Sequence, residues 1–194
     1  KREKNDNNLE ALDRERYQTI FAQYPGAIAA PTAGLHFTPN ILKSLKEKGV
    51  DTSHITLHVG TGTFQPIRTE SIIEHKMQAE QFHISKETTK SLITSSKNHK
   101  KIIAVGSTTT RVLESVDLST LQEEGTSGWT NRYIFPGQKF NSINHILTNF
   151  HLPKSTLYIL VCAFADKKLI SKAYNEAMKR KYRFFSYGDA MLII

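Results

Sequence analysis

Short apolar runs bounded by polar loops alternate here with segments whose apolar residues recur at helical spacing, and that alternation restricts the chain to layered strands and helices. The runs are Ala27 to Ala30, Ile102 to Val105, Leu157 to Phe164 and Ala190 to Ile194. His54 to Val59 adds a strand of another kind, with Ile55, Leu57 and Val59 on one face and Thr56 and His58 on the other. Helical patterns fill the intervals. A loose one runs from Leu9 to about Tyr24 and stops at Pro25-Gly26. Thr38-Pro39, then Ile41, Leu42 and Leu45, then Gly49, supply an N-cap, a first-turn proline and a closing glycine. Further helices are expected from Ser85 to Asn98, from near Thr109 to Val116, and on the face formed by Leu169, Ile170, Ala173, Tyr174, Ala177 and Met178. Glu123 to Thr130, rich in Gly, Thr and Ser, reads as a loop. Leu157 to Phe164 reads as the central strand of a parallel sheet, because such strands are buried on both faces. The expected fold class is therefore α/β, a layered, Rossmann-like sandwich without internal repeats or heptads.

Composition narrows the function classes. At 39% hydrophobic and 23% charged residues the chain is too apolar for disorder, and no apolar run approaches the roughly 20 residues that cross a bilayer. Its first residues, Lys1 to Asn8, are polar and read as a linker or frayed helix end, not a signal peptide. Cys162 is the single cysteine, set in an apolar run as a buried thiol, so neither a disulfide framework nor a cysteine-rich zinc site can form. Twenty-six Lys and Arg against 18 Asp and Glu leave a formal charge of +8, compatible with a polyanionic partner. The cytoplasm is the expected compartment.

Four polar segments interrupt the scaffold, each at the end of an apolar run, where open α/β sheets place ligands. The first, residues 31–38, delivers Thr32, Gly34 and His36 ahead of a capped helix; His36 can serve a ligand or the packing. The second holds His58, Gly60, Thr61, Gly62 and Thr63, where glycines allow close backbone approach. His54 and His58 lie about 13 Å apart on a strand, too far to share a metal ion. The third, Gly106 through Arg111 with Thr109 among its hydroxyls, suits an anion at a helix start or serves as a hydroxyl-rich cap. The fourth, Leu147 to Thr156, gathers Asn149, His151 and Lys154. A similar cluster, Tyr182 to Asp189, precedes the last strand, and its aromatics either fill the core or stack on a base.

Together these strings resemble the S-adenosylmethionine:tRNA ribosyltransferase-isomerase family. The resemblance rests on residues 29–37, on residues 57–66, on residues 148–156 and on residues 182–191. Tyr17-Gln18-Thr19, residues 75–80, residues 111–115 and Phe135-Pro136-Gly137 fall between them in matching order. The chain departs from the family pattern at Gln78, where many members have His, at Asn144, where Asp is common, and across Ser107 to Thr110.

What the resemblance implies is specific. Members move the ribosyl group of S-adenosylmethionine onto 7-aminomethyl-7-deazaguanine at the tRNA wobble position. The ribose isomerises, epoxyqueuosine forms, and adenine and methionine leave. On chemical grounds His36, His58, His75, Glu80, His151 and Asp189 are then the acid/base candidates. Substrate contacts are expected from Thr32, Gly34, Gly60, Thr61, Gly62, Thr63, Thr109, Arg111, Asn149, Lys154 and Arg183, with the three cations as anion anchors. No metal and no cofactor beyond S-adenosylmethionine as substrate is expected, and the partners are that molecule and the modified tRNA, engaged by a monomer away from membranes. Family members are considerably longer and carry an inserted β-barrel, so residues 1–194 are expected to be the C-terminal portion of the α/β catalytic domain, as a fragment or a naturally shortened relative. Two alternatives stand beside this reading: a non-catalytic tRNA- or nucleotide-binding remnant of the same fold, and an S-adenosylmethionine-dependent methyltransferase. The strand, glycine-rich loop and acidic residue in the order such methyltransferases use are missing.

Overall fold

A computed structural model describes residues 16–60 and 67–194. Among the described residues, two three-stranded sheets with five α-helices make a mixed α/β architecture, as the alternation of patterns requires. In the first sheet β1 (Ile55–Leu57), β2 (Glu80–Ile84) and β4 (Thr126–Thr130) run antiparallel in the order β1-β2-β4. In the second, β3 (Ile103–Val105) lies parallel to β5 (His145–Asn149), and β6 (Ala190–Ile193) returns antiparallel beside β5. Neither sheet closes into a barrel. The helices are α1 (Pro39–Glu47), α2 (Lys86–Lys97), α3 (Ser107–Leu113), α4 (Thr156–Ala165) and α5 (Lys167–Lys179).

Caps start several of these where the sequence signals indicate. The Thr38 hydroxyl accepts from the Ile41 N–H at the start of α1, and the Ser85 hydroxyl accepts from Thr88 N–H at the start of α2. The core gathers Ile84, Ala104, Val112, Ile146, Val161 and Ile170, all essentially without solvent exposure. Strand β2 alternates as a half-buried strand must: Glu80, Phe82 and Ile84 point inward, Gln81 and His83 outward.

Several expectations are corrected. Leu157 to Phe164 is not a strand but the body of helix α4. A short apolar run reads alike for a buried strand and a buried helix; here Ser155 decides, its hydroxyl accepting from Tyr158 N–H at 3.2 Å. Residues 123–130 are not all loop, because Thr126–Thr130 pairs with β2. Gly128 stands opposite Phe82, and a side chain there would meet the phenyl ring at 3.2 Å, so the glycine makes room for a core aromatic. Residues 27–30 form no strand; they run beside β1, with Ile28 N–H donating to Val59 C=O. Beyond Arg16 the described part of the expected first helix is turns and bends, and its earlier residues lie outside the described ones. Helix α3 also starts two residues early, since Gly106 takes φ +92° and turns the chain directly off β3.

Because the cap is what converts the apolar run into α4, Ser155→Ala should cost about 0.5–2 kcal/mol and Ser155→Asp should recover most of it. Urea unfolding of the two variants measures both.

Candidate functional site at the carboxyl end of the parallel strands

Strands β3 and β5 end side by side, joined by a hydrogen bond from Gly106 N–H to Leu147 C=O. A 3-10 turn, Thr32–His36, docks onto this edge. Thr32 donates its hydroxyl proton to Asn149 Oδ1 at 2.9 Å, and Asn149 Nδ2 lies 3.5 Å from His36 Nε2 and 3.3 Å from the Gly188 carbonyl. Asn149 is therefore the hub of the cluster. It is buried at the last position of β5, and it ties the segment before α1 to the loop before β6.

That loop, residues 182–189, is held shut. Asp189 accepts from the Arg183 backbone N–H at 2.7 Å and from the Arg183 guanidinium at 2.8 Å, while Asp189 N–H donates back to the Arg183 carbonyl. A Cβ on Gly188 would fall 2.4 Å from the Phe184 carbonyl carbon, so only glycine closes the turn. The Arg183 hydrogen bonds, with a smaller contribution from His36, hold the Asp189 carboxyl below its ordinary range. The loop beside this cluster thus carries a carboxylate that stays ionised.

His151 has a different setting. Its Nε2 lies 2.8 Å from the Thr148 hydroxyl, and its backbone N–H donates to the Tyr174 hydroxyl on α5. Thr148 and Asn149 are consecutive on β5 and face opposite sides of the sheet, so His151 and His36 hang from opposite faces. Burial pushes the His151 pKa down to about 4.

Glu80 and Arg111 form a buried ion pair, with Oε2 and Nη1 2.5 Å apart and both side chains 2% exposed. Glu80 Oε1 also accepts from the Gly60 N–H, and Arg111 Nε donates to the Arg132 carbonyl. The pair fixes the start of the glycine segment; Thr61, Gly62 and Thr63 lie outside the described residues.

The remaining candidates are dispersed. The His58 ring abuts Gly26, where a Cβ would meet its Nδ1 at 2.6 Å. His75 packs edge-on against Tyr133. Gly34 lies beneath Thr19 and Phe21, Thr109 is half-buried on the first turn of α3, and Lys154 is exposed at φ +63° just before the cap of α4. The structure thus brings together Thr32, His36, Asn149, Arg183 and Asp189, pairs Glu80 with Arg111, and leaves His58, His75 and His151 in separate contacts. Among the described residues no three His, Cys, Asp or Glu side chains converge as a metal-ligand set, and no helix is long and apolar enough to cross a membrane.

Sequence reasoning missed three residues that build this region. Thr148 and Tyr174 hold His151, and Glu114 accepts from the backbone N–H groups of residues 141–143, which anchors the entry into β5. Thr148 sits within the fourth polar segment, but nothing in a single sequence marks Tyr174 or Glu114. Asn144, where the family pattern often has Asp, uses its carbonyl oxygen to accept from Ile102 N–H, an acceptor either residue supplies.

Ionisable and polar side chains gather where the parallel strands β3 and β5 end, in a mixed α/β protein, the place where such sheets put ligands. Residues 3–193 match the family described as "Queuosine biosynthesis protein", and the chain belongs to that family. It is 50% identical over 182 residues to the S-adenosylmethionine:tRNA ribosyltransferase-isomerase of Halothermothrix orenii, covering 94% of this chain and 53% of that protein. The Sulfurihydrogenibium sp. protein of the same name is 52% identical over 186 residues, 95% of this chain and 54% of the relative. The crystal structure of S-adenosylmethionine tRNA ribosyltransferase from Thermotoga maritima superposes with a TM-score of 0.70 at 43% identity, over 84% of this chain and 51% of that one. The chain spans about half the length of the curated relatives it matches.

Two outcomes test this geometry. Glu80→Ala leaves a guanidinium buried without its carboxylate and should cost about 3–5 kcal/mol, read by urea denaturation at neutral pH. His151 has a folded pKa below its unfolded value, so acid protonates the unfolded chain first. Its contribution to stability is present above about pH 6.5 and is lost as pH falls to about 4. The urea midpoint of His151→Gln should therefore depend less on pH across that window than that of the parent chain.

Proposed function

We propose that the protein transfers and isomerises the ribosyl group of S-adenosylmethionine onto 7-aminomethyl-7-deazaguanine in the tRNA wobble position. Epoxyqueuosine forms on the tRNA, and adenine and methionine are released. The observation that carries this reading is the identity of about half of all residues, over nearly the whole chain, with proteins bearing that activity in their names. On this reading the chain supplies the C-terminal portion of the α/β catalytic domain of a monomeric, cytoplasmic enzyme that needs no metal and no cofactor beyond the sulfonium substrate.

The site supports a division of labour. His36, held by Asn149 at the strand end whose neighbouring loop carries the ionised Asp189, is the group best placed to exchange a proton with the substrate. His151 stays neutral at physiological pH, so it can accept a proton but holds none ready to deliver to a leaving adenine. Arg183 and Lys154, both exposed, suit the methionine carboxylate or tRNA phosphate. Arg111 and Glu80 act through the Gly60 segment that they hold, and Thr32 and Asn149 fix the orientation of the His36 ring.

Incubating the chain with S-adenosylmethionine and tRNA bearing the aminomethyl base tests the proposal, with adenine quantified by chromatography. Adenine release that requires both substrates is expected, at a rate lowered about 10²–10⁴-fold in His36→Ala with little change in melting temperature. Methylated tRNA in place of free adenine would indicate a methyltransferase. Because the chain spans half of its relatives' length, a second reading is kept: tRNA or S-adenosylmethionine binding without adenine release would identify a non-catalytic binding unit.

A further inference from the structure

Positive charge is not spread evenly over this chain. Residues 167–183 carry seven Lys and Arg against the single Glu176, which is six of the eight net positive charges of the whole chain. The helix concentrates them. Lys168, Lys172 and Lys179 recur on one exposed face of α5 and, with Lys167, line a shallow open groove. At 1.5 Å per residue the stripe is about 16 Å long. Glu176, the carboxylate in that groove, is paired with Arg180 at 2.7 Å, so it leaves the charge of the three lysines to the solvent.

The helix leads directly into the loop of the candidate site. Beyond Lys181, exposed aromatics follow the cations: Tyr182 is 46% and Phe185 50% exposed. Phe184 is part-buried against Phe150 and Tyr174, and the Phe185 ring meets it edge-on while staying half-exposed. Phe185 takes φ +71°, a left-handed backbone that a bulky side chain adopts only under constraint. The constraint is visible. Phe185 N–H donates to the Phe150 carbonyl, Gly188 N–H donates to the Phe185 carbonyl, and the Arg183–Asp189 pair closes the loop around both. The loop thus holds a half-exposed phenyl ring six residues beyond Lys179, the last lysine of the stripe.

We propose that the exposed face of α5 and the Phe185 loop are the surface on which RNA docks, with backbone phosphates along Lys168, Lys172 and Lys179 and an unstacked base against Phe185. Lysines gain affinity for RNA by releasing phosphate counterions, and an exposed aromatic ring binds any base by stacking. The inference rests on the reading that this chain acts on tRNA and adds where the RNA lies: along α5, entering the site past the loop that carries Asp189.

The test uses the full 194-residue chain and two labelled probes, a short RNA hairpin with an unpaired loop and a blunt RNA duplex, followed by fluorescence anisotropy over a salt series. The triple variant Lys168→Gln, Lys172→Gln, Lys179→Gln should weaken binding of both probes and flatten the salt dependence by about one unit of slope for each phosphate no longer neutralised. Phe185→Ala should weaken the hairpin about 5- to 100-fold and leave the duplex unchanged, and Phe185→Trp should restore hairpin affinity. All four side chains are exposed, and unchanged circular dichroism and melting temperature confirm that the variants fold. If the parent chain binds the hairpin and all variants bind it equally, the surface is wrong while the tRNA reading stands. If the parent chain binds neither RNA, both fall. Capture by phosphatidylserine vesicles without RNA binding would make the face a membrane-contact surface and overturn the proposal.

Discussion

The buried pair between Glu80 and Arg111 is the polar link between two sheets that also share one apolar core. Glu80 opens β2 in the antiparallel sheet, and Arg111 stands on α3, the helix that leaves β3 in the mixed sheet. Through the remaining hydrogen bonds the same two side chains reach Gly60 and the Arg132 carbonyl, so four distant stretches of chain share one polar centre. Two charges removed from water return little net stability compared with apolar residues of the same volume. What the pair supplies is registry. A guanidinium satisfies a carboxylate only at one geometry, and that geometry sets how the Gly60 segment stands relative to the strand ends of the second sheet.

The second polar centre, Asn149, works differently because it is made of neutral groups with fixed directions. Its neighbour Thr148 points to the other face of β5, and the two consecutive residues sort the histidines. One face sets His36 against the Asn149 amide, on the side of the loop that carries the ionised Asp189. The other sets His151 under helix α5, where desolvation keeps it neutral down to a pKa of about 4. One strand end therefore carries two imidazoles in different settings, one held by an amide at the sheet edge and one desolvated beneath a helix.

Much of this is legible in the sequence alone. The caps at Thr38 and Ser85, the strand at Ile103–Val105 and the final strand follow from local rules that tertiary packing does not override. The polar segments at strand ends are legible too, since nothing in a core calls for Asn, His and Thr there. What escapes reading is decided by partners distant in sequence. Leu157 to Phe164 is apolar enough for either element, and Thr126–Thr130 becomes a strand because Phe82 fills the space over Gly128. Arg111 carries the composition of an anion site, yet Glu80, 31 residues away, takes its charge into the core. His36 and His151 read alike in the sequence as acid/base candidates at run ends; the alternation of side chains along β5 separates them.

Hydrogen-bond capacity separates what holds the site from what can act in it. A primary amide offers two donors and two acceptor lone pairs. Asn149 spends both donors, on His36 and Gly188, and one lone pair on the Thr32 hydroxyl, which leaves a single acceptor position. It can therefore organise a ligand site but donate nothing to a ligand. Asp189 is committed in the same way to Arg183, through one oxygen to the backbone and the other to the guanidinium. The His36 imidazole differs, because only Nε2 takes part in these contacts, accepting from the Asn149 amide, which places the ring proton on Nδ1. The imidazole is thus the member of this cluster with a nitrogen outside these contacts, and the amide and the loop around it set its orientation.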